Sequence, residues 1–230
     1  GLADTITGDA NANVLTGGNG DDTLAGRGAV DTLDGGSGID TANYANAATA
    51  GVVANLETGL VSNDGDASND VLISIENFTG SNFADTVTGS TAVNIINTGT
   101  GNDVIIASGA ADVIDGGVGS DTVDYSTLAG ATSISVTLNT TNNATVTVGG
   151  GTNQTIVNIE NITGTSGADT LVGDSAANTL YNVVSRIAMN GDFLETFWLD
   201  DAGEIVRKPS PKYEGPANPV DYAMWQNGRG

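Results

Sequence analysis

One spacing constrains this chain more than any other feature: an Asp or Asn followed two residues later by an apolar residue recurs every nine residues. The pattern forms three arrays, the third of which stops early. The Asp or Asn positions are Asp4, Asn13, Asp22, Asp31 and Asp40, then Asp85, Asn94, Asp103, Asp112 and Asp121, and finally Asp169 and Asn178. All twelve have the apolar residue in register, which excludes chance and indicates an internal repeat.

A longer period overlies the nine-residue one. The first positions of the three arrays, Asp4, Asp85 and Asp169, lie 81 and 84 residues apart. The similar segments 73–81 and 157–165 each precede the next array. The chain therefore contains about two and a half copies of one long unit.

These periods divide the chain into six segments. The linking segments between the arrays alternate polar and apolar residues, which predicts longer strands that continue the stack. A boundary near Tyr181 follows from composition, because five of the six basic residues, both Trp and all four Pro come after it. The arrays are placed at 1–44, 81–125 and 165–181, the linking segments at 45–80 and 126–164, and a C-terminal tail at 182–230.

Nine residues are too few for a helical repeat but suit one turn and one short strand. Glycines allow the turn to adopt left-handed backbone conformations. The two-residue alternation of a strand directs the apolar residue inward and its neighbours outward. Such short strands bury a face only when they stack in parallel, as in solenoids. We therefore predict an all-β stack in which two nonapeptides make one coil and loops 18 residues apart lie over each other.

The charge balance favours a cation as the partner. The 28 acidic and 6 basic residues give a net charge of −22, which argues against nucleic acid and anionic membranes. The chain has no Cys and no His, which excludes disulfides, His-ligated zinc and His-dependent catalytic groups. No apolar run is long enough to span a bilayer. The chain begins at Gly1 without a signal peptide, so we expect it to be a piece of a longer protein.

Stacking places the acidic side chains of successive coils close together. One strand spacing, ~4.8 Å, separates Asp22 from Asp40 and Asp103 from Asp121. At an effective dielectric of about 20, two carboxylates at that distance repel by roughly 3 kcal/mol. Ca²⁺ accepts roughly six to eight hard oxygens in flexible geometry, whereas Mg²⁺ demands a tighter octahedron. Calcium between the loops is therefore the predicted solution, and a metal-free ladder of Gly/Asp turns is the alternative.

The nonapeptides resemble the RTX family of hemolysin-type calcium-binding repeats, whose consensus is GGxGxDxUx. Two segments, GGNGDDTLA (17–25) and GGVGSDTVD (116–124), match the consensus at every position. The segment GGSGIDTAN (35–43) also matches, with Ala42 as a weakly apolar eighth residue. Other nonapeptides depart from the consensus. Arg27 and Ala29 replace glycines, 107–115 loses three glycines, and 8–16, 89–97 and 173–181 have Asn for Asp.

The resemblance implies a right-handed parallel β-roll that binds several calcium ions through sixth-position aspartates and turn carbonyls. We expect the strongest site between Asp22 and Asp40, and the next between Asp103 and Asp121. Further sites are expected for Asp4 with Asp22 and for Asp85 with Asp103, although the first loop of each pair is incomplete. The opposite edge, formed by Asn13 with Asp31 and Asn94 with Asp112, is expected to bind calcium weakly or not at all. The candidate ligands are Asp4, Asp22, Asp31, Asp40, Asp85, Asp103, Asp112, Asp121 and Asp169, with Gly18, Gly20, Gly36, Gly38, Gly99, Gly101, Gly117 and Gly119.

Two pairs of residues recur at equivalent places in the long unit. Tyr44 and Tyr125 each close an array, and we interpret them as packing residues at the edge of the roll rather than ligand-stacking aromatics. Glu76 and Glu160 recur in the segments before the next array, which favours a structural role over a catalytic one. Acid-pair glycosidase chemistry is compatible with the composition, but nothing in the sequence indicates a cleft.

The first linking segment contains an acidic stretch, 63–70, with Asp64, Asp66 and Asp70. It resembles the start of an EF-hand loop but lacks the Gly at the sixth place and the Glu at the twelfth. We interpret it as a solvated acidic turn.

The C-terminal tail has three interpretations. Its segment 192–210 predicts a hairpin with a turn at 201–203, and 209–219 is Pro-rich and extended. The tail is a cap on the open end of the solenoid, a C-terminal export signal, or a docking segment presenting Trp198, Trp225 and Tyr222.

The functional expectation is a non-enzymatic calcium-binding module of a secreted bacterial protein, exported by type I secretion and folded by calcium outside the cell. Such a module would belong to a surface layer, an extracellular filament or an adhesin, and its tail would mediate self-association or bind a cell-surface partner. The alternative is the C-terminal RTX domain of a secreted enzyme or toxin whose catalytic part precedes Gly1.

Overall fold

The computed structural model describes residues 1–45, 50–62, 69–128, 133–139, 143–187, 193–199 and 205–206, with side chains up to Tyr181. All regular structure in these ranges is β, which confirms the predicted fold class. The strands of the first array are β1 (Thr5–Thr7), β2 (Val14–Asn19), β3 (Thr23–Ala25), β4 (Thr32–Ser37) and β5 (Thr41–Asn43). Those of the second are β10 (Thr86–Thr88), β11 (Ile95–Asn97), β12 (Val104–Ile106), β13 (Val113–Asp115) and β14 (Thr122–Asp124).

The remaining strands belong to the linking segments, the third array and the tail. The linking segments hold β6 (Val53–Asn55), β7 (Leu60–Ser62), β8 (Asn69–Ile73), β9 (Asn77–Thr79), β15 (Ile134–Thr137), β16 (Asn143–Val148), β17 (Thr152–Val157) and β18 (Asn161–Thr163). The third array and the tail hold β19 (Thr170–Val172), β20 (Thr179–Ile187), β21 (Phe193–Leu199) and β22 (Ile205–Val206).

Successive nonapeptides alternate between two sheets. One sheet has ten strands in the order β1-β3-β5-β9-β11-β13-β17-β16-β15-β19. The other has twelve, in the order β2-β4-β8-β7-β6-β10-β12-β14-β18-β20-β21-β22. Within each array the strands pair in parallel with an offset of 18 residues, as Leu24 does with Ile6 and Val123 with Ile105. This register confirms that two nonapeptides make one coil.

The linking segments stay within the two sheets, as predicted, but they enter them as antiparallel strands. The strands β6, β7 and β8 pair antiparallel with one another, and so do β15, β16 and β17. From β6 to β8, and from β15 to β17, successive strands stay in one sheet, and the chain next crosses to the opposite sheet in the turns before β9 and β18. Tight turns instead reverse the chain within one sheet, with Gly59 and Gly150 in the left-handed region at φ 68° and 75°.

The core consists of the apolar eighth residues of the nonapeptides, stacked between the sheets. Leu24, Leu33, Ile105 and Ile114 have no exposed surface, which confirms the predicted inward direction. At about 25 cal/mol per Å² of apolar surface, each such side chain contributes roughly 1.5–3 kcal/mol. Burial falls toward the ends of the stack, where Ile6, Leu15 and Leu171 are only partly buried.

The two array-closing tyrosines pack inside this core. Tyr44 and Tyr125 are completely buried, and Tyr44 stacks on Phe78 with ring centroids 5.5 Å apart. The packing role is therefore confirmed, but the predicted place at the roll edge is wrong. Their hydroxyls reach polar partners in the linking segments, because a buried phenol requires a hydrogen bond.

In the tail, β20 pairs antiparallel with β21, and β21 with β22. The second pairing agrees with the hairpin predicted in 192–210, whose turn lies outside the described residues. The extended 209–219 segment, Tyr222 and Trp225 also lie outside them. Within the described ranges, no helix is long and apolar enough to cross a membrane.

Candidate metal centre

The sixth-position side chains join successive coils through their backbone. Asp40 Oδ1 accepts a hydrogen bond from the N–H of Asp22 at 2.7 Å, and Asp22 Oδ1 accepts from Asp4 at 2.8 Å. In the second array Asp121 Oδ1 accepts from Asp103 at 2.9 Å. We call this continuous chain of contacts the aspartate ladder. It brings the predicted pairs together, with each carboxylate against the preceding backbone amide.

The second array and the opposite edge continue the same pattern. Asp103 Oδ1 accepts from Asp85 at 2.7 Å. On the opposite edge Asp31 Oδ1 accepts from Asn13 at 2.7 Å, and Asp112 Oδ1 from Asn94 at 2.9 Å. Every pair proposed from the 18-residue offset therefore lies in contact.

Four ladder carboxylates keep one oxygen without a hydrogen bond. The Oδ2 atoms of Asp22, Asp40, Asp103 and Asp121 are buried and have no hydrogen-bond partner among the described residues. These four side chains are at most 1% exposed. A buried charged oxygen without a partner costs about 1–3 kcal/mol or more, so native structures rarely tolerate one unless an ion satisfies it. The four atoms belong to the residues predicted to form the two strongest calcium sites.

The buried environment also makes two of these carboxyl groups, those of Asp103 and Asp121, hard to ionise. Burial raises the pKa of Asp121 to about 7, and the nearby carboxylates of Asp103, Glu160 and Asp115 add to the effect. Burial likewise raises the pKa of Asp103 above its ordinary value, with a smaller contribution from Asp85. A cation beside these groups would act in the opposite direction and favour the charged form.

The loops with an unpartnered oxygen share a left-handed glycine at their second position. The φ angles are 108° at Gly18, 95° at Gly36, 95° at Gly99 and 83° at Gly117. We call these four nonapeptides, which end in the strands after Asp22, Asp40, Asp103 and Asp121, the open loops. The fourth-position Gly20, Gly38 and Gly101 are also left-handed. Close stacking excludes side chains here, since a Cβ on Gly119 would collide with the Gly101 carbonyl oxygen.

In the three open loops that begin with glycine, those of Asp22, Asp40 and Asp121, a carbonyl oxygen lies beside the free carboxylate oxygen. A Cβ on Gly17 would collide both with Asp22 Oδ2 and with the carbonyl oxygen of Gly35 in the next loop. The first-position glycine therefore leaves a cradle that a carboxylate oxygen and a carbonyl oxygen both face. Hard oxygens of these two kinds are the ligands Ca²⁺ prefers, so the residues present fit a calcium ion.

Other loops satisfy their sixth-position side chain internally. Ser81 donates its N–H to Asp85 Oδ2 and its hydroxyl to Asp85 Oδ1, both at 2.7 Å. Thr165 does the same for the half-buried Asp169, with both contacts at 2.8 Å. We call loops in which a polar second residue binds the sixth side chain closed loops. The others are those of Asp9 with Asn13, Ser90 with Asn94, Ser108 with Asp112 and Asp174 with Asn178.

The second residue was the signal that sequence reasoning missed. Asp85, Asp112 and Asp169 were predicted as metal ligands together with the open-loop aspartates. In the structure both oxygens of each already accept hydrogen bonds. Ser, Thr or Asp at the second position accompanies every closed loop, and these residues commonly bind nearby backbone and side chains in turns.

The loop around Asp31 retains the open backbone without its glycines. Arg27 has a φ angle of 85°, close to those of the second-position glycines, and Ala29 has a φ angle of 67°, below the 122–147° of Gly20, Gly38 and Gly101. The departure from the consensus therefore keeps both positions in the left-handed region, at a cost of about 1–2 kcal/mol per residue forced there. Asp31 donates its N–H to Asp70 Oδ1 at 2.8 Å.

The acidic stretch of the first linking segment is only partly described. Asp64 and Asp66 lie outside the described residues. Asp70 is completely buried and accepts hydrogen bonds from the Asp31 N–H and, at 2.9 Å, from the Tyr44 hydroxyl. For Asp70 the prediction of a solvated turn is therefore wrong, because this residue belongs to the ladder of the first array.

Glu76 and Glu160 end the ladder of the first and second arrays. Glu76 Oε2 accepts the N–H of Asp40, and Glu160 Oε2 accepts the N–H of Asp121, both at 2.9 Å. Each glutamate thus takes the place of the next sixth-position aspartate. The structural role inferred from their recurrence agrees with these contacts.

Within the described residues, no group of three or more acidic side chains is arranged to hold a metal ion. Each ladder step brings only two carboxylates together, and beside Gly17 the Asp22 carboxylate oxygen is accompanied by the carbonyl oxygen of Gly35 in the next loop. A cation here would depend on carbonyl oxygens as much as on carboxylates.

Stacked parallel strands with inward apolar residues, glycine loops and carboxylates in register define a parallel β-roll with carboxylate-lined edges. Residues 7–42, 88–123 and 158–182 match the family model of the RTX calcium-binding nonapeptide repeat, in four copies. These segments are RTX repeats, as the sequence resemblance indicated, and repeats of this family bind calcium. A search of curated proteins finds no match to the chain.

Proposed function

We propose that this chain is a calcium-dependent structural or adhesive module of a secreted bacterial protein, which folds when it meets calcium outside the cell. The observation that carries the proposal is the set of four buried, unpartnered carboxylate oxygens in the open loops. They lie in segments that match a calcium-binding repeat, and calcium is the hard cation that carboxylate and carbonyl oxygens suit.

The residues that would hold the ion are Asp22 with Asp40 and Asp103 with Asp121, together with carbonyls of the stacked loops. Bound calcium supplies positive charge that offsets the repulsion between carboxylates of successive coils. The chain itself supplies rigid parallel strands on both sides, so that each loop is held at the spacing of the sheet. RTX repeats are structural calcium-binding repeats, and we propose no catalytic role for the module.

The folding switch follows from mass action. Extracellular calcium is about millimolar, and a site with a dissociation constant of about 10⁻⁴ M then stabilises the fold by roughly 1.4 kcal/mol. Several coupled sites decide between an unfolded and a folded chain. At low cytosolic calcium, the net charge of −22 and the entropy of 33 glycines keep the chain loose and competent for export.

The test is circular dichroism of the metal-free chain followed by a calcium titration. We expect a largely disordered spectrum in EDTA and a cooperative gain of β-structure on adding calcium, with magnesium much less effective. A chain with its full β-content in EDTA would contradict the proposal.

A role in a surface layer, filament or adhesin is supported by the recurrence of the long unit. Electron microscopy of the chain with calcium distinguishes this role from that of a repeat domain attached to a secreted enzyme or toxin. Ordered sheets or fibres support the former, and dispersed particles at all calcium concentrations the latter.

A further inference from the structure

The last open loop of each array, that of Asp40 or of Asp121, has no nonapeptide stacked after it. Its free carboxylate oxygen nevertheless lies near a backbone carbonyl oxygen, as that of Asp22 does. Ser74 and Asn158 adopt left-handed φ angles of 48° and 51° in equivalent turns. A Cβ on Gly35 would collide with the Ser74 carbonyl oxygen, and one on Gly116 with that of Asn158. These carbonyls occupy the place that the Gly35 carbonyl takes beside Gly17 in the preceding coil.

A glutamate also replaces the sixth-position aspartate that a further nonapeptide would supply. Glu76 and Glu160 accept the ladder hydrogen bond that a sixth-position aspartate would accept, at the ordinary length of 2.9 Å. Within a nonapeptide the carbonyl and carboxylate come from residues five apart, whereas Ser74 and Glu76 are only two apart. The extra methylene of glutamate compensates for the shorter turn.

We infer that Glu76 and Glu160 are metal ligands that complete an additional calcium site at the end of each array, formed by Asp40 with Glu76 and by Asp121 with Glu160. The inference rests on the proposed function. The supporting observation is that Asp40 Oδ2 and Asp121 Oδ2 are buried, without a partner, on the side where these turns pack.

The test is a calcium titration by calorimetry of the full chain and of the single variants Glu76→Gln and Glu160→Gln. Glutamine keeps an acceptor for the ladder hydrogen bond but removes the charge. We expect each variant to lose one ion, or to bind one about tenfold more weakly, because affinity follows the number of charged ligands. Glu57→Gln is the matched control, since Glu57 is exposed and accepts hydrogen bonds from the N–H and the hydroxyl of Thr91, outside the aspartate ladder.

Thermal unfolding separates a ligand from a merely structural residue. In EDTA with trimethylamine N-oxide, an osmolyte that favours the folded chain, Glu160→Gln is expected to unfold at the same or a higher temperature than the parent, because a repelling charge beside Asp121 is removed. In calcium it is expected to unfold at a lower temperature. A variant that is less stable in both conditions, or that keeps full calcium stoichiometry and affinity, overturns the inference.

The variant Asp103→Asn keeps this test distinct from that of the proposed function. If Asp103→Asn loses calcium while both glutamine variants retain it, the array-end sites are wrong and the proposed function stands. If the parent chain binds no calcium, the proposed function itself fails.

A separate observation concerns the closed loop of Asp112. Gln154 is completely buried, and its Nε2 donates to the carbonyl oxygens of Ser108 and Ala110 at 2.8 and 2.7 Å and to Asp112 Oδ2 at 3.2 Å. Its Oε1 accepts the Tyr125 hydroxyl at 2.8 Å. Two loop carbonyls and a sixth-position carboxylate are the oxygens that a cation would use in this loop.

We further propose that the Gln154 amide takes the place of calcium in this loop and makes the Asp112 site independent of metal. The equivalent residue in the first array is Asp70. Its Oδ1 accepts the N–H of Asp31, and its Oδ2 accepts the hydroxyl of Tyr44, as Gln154 Oε1 accepts that of Tyr125. The two arrays therefore differ by a carboxylate in one and an amide in the other at the same place.

The matched pair Asp112→Asn and Asp103→Asn tests this proposal in the same array. Asp112→Asn is expected to leave the number of bound calcium ions unchanged, whereas Asp103→Asn lowers it. Gln154→Glu, which replaces the donor by a carboxylate, is expected to add one ion and to make folding more dependent on calcium. Loss of an ion in Asp112→Asn overturns the proposal, whether or not Gln154→Glu folds.

Discussion

At the scale of the residue, each sixth-position aspartate of an open loop divides its two oxygens between two tasks. In Asp22, Oδ1 accepts the Asp4 amide and holds the coils in register, while Oδ2 has no hydrogen-bond partner in the part of the chain that the structure describes. The first task is satisfied by any folded roll, and the second only by an added cation. A single side chain thus links register to metal binding.

The dependence of stability on pH should change sign with calcium. In the metal-free fold, burial raises the pKa of Asp121 to about 7 and raises those of Asp103, Asp85 and Asp112 above 3.8. The folded state then binds protons more tightly than the unfolded state, so stability rises as pH falls from about 8 through 7 toward 4. With calcium the ligands must be ionised, and affinity falls over the same range. Unfolding temperatures at pH 8 and 5, in calcium and in EDTA with trimethylamine N-oxide to favour the folded chain, check both signs.

The strained loop around Asp31 gives a stabilising substitution. Ala29 has a φ angle of 67°, which costs about 1–2 kcal/mol, whereas glycine loses about 0.5–1 kcal/mol in backbone entropy. Ala29→Gly is therefore expected to stabilise the folded chain by about 0.5–1 kcal/mol, measured by urea unfolding in calcium. Ala92→Gly, at an exposed alanine that is not left-handed, should be neutral or destabilising. Equal effects of the two variants would show that the loop is not strained.

At the scale of the element, three-residue strands are stable only because each contributes one fully buried side chain to a continuous core. Ile105 in β12 has no exposed surface, while Ile95 in β11 is 52% exposed although it also lies in a strand of the second array. The alternation within a strand decides which of two isoleucines carries stability.

This difference predicts unequal effects of the same substitution. Ile105→Ala is expected to lower the free energy of unfolding by about 2–5 kcal/mol, because it leaves a cavity between the sheets. Ile95→Ala should change it by less than about 0.5 kcal/mol. Urea unfolding at saturating calcium measures both, and similar losses would mean that the strand faces are assigned incorrectly.

The nine-residue register was sufficient to predict the strands, the inward residues and the 18-residue pairing, because period and alternation are local properties. It also placed Asp22 with Asp40 and Asp103 with Asp121. It could not predict that Ser81 closes the Asp85 loop or that Gln154 reaches Asp112, 42 residues away, since both depend on where folded backbone directs a side chain. The antiparallel direction of the linking strands was missed because alternation is the same in either direction.

At the scale of the whole molecule, the stack has two ends that the chain must protect. At one end of the twelve-stranded sheet, β20 continues through β21 and β22, so the tail extends the sheet. An unprotected strand edge invites pairing between molecules.

Deleting residues 190–230 tests the three interpretations of the tail. We expect a cap, whose loss lowers solubility and promotes aggregation, as measured by light scattering in calcium. A folded, soluble roll that no longer assembles would support a docking segment. A folded roll that is retained inside the producing cell would support an export signal.

The one-way sense of the aspartate ladder gives the molecule a polarity. Each amide in it is satisfied by a carboxylate from later in the chain, as Asp22 is by Asp40 and Asp121 is by Glu160. Unfolding of the first coil of an array exposes a carboxylate, which water solvates well. Unfolding of the last coil instead leaves a backbone N–H without its carboxylate acceptor. We therefore expect the coils to fold in sequence from the C-terminal end of each array toward its N-terminal end.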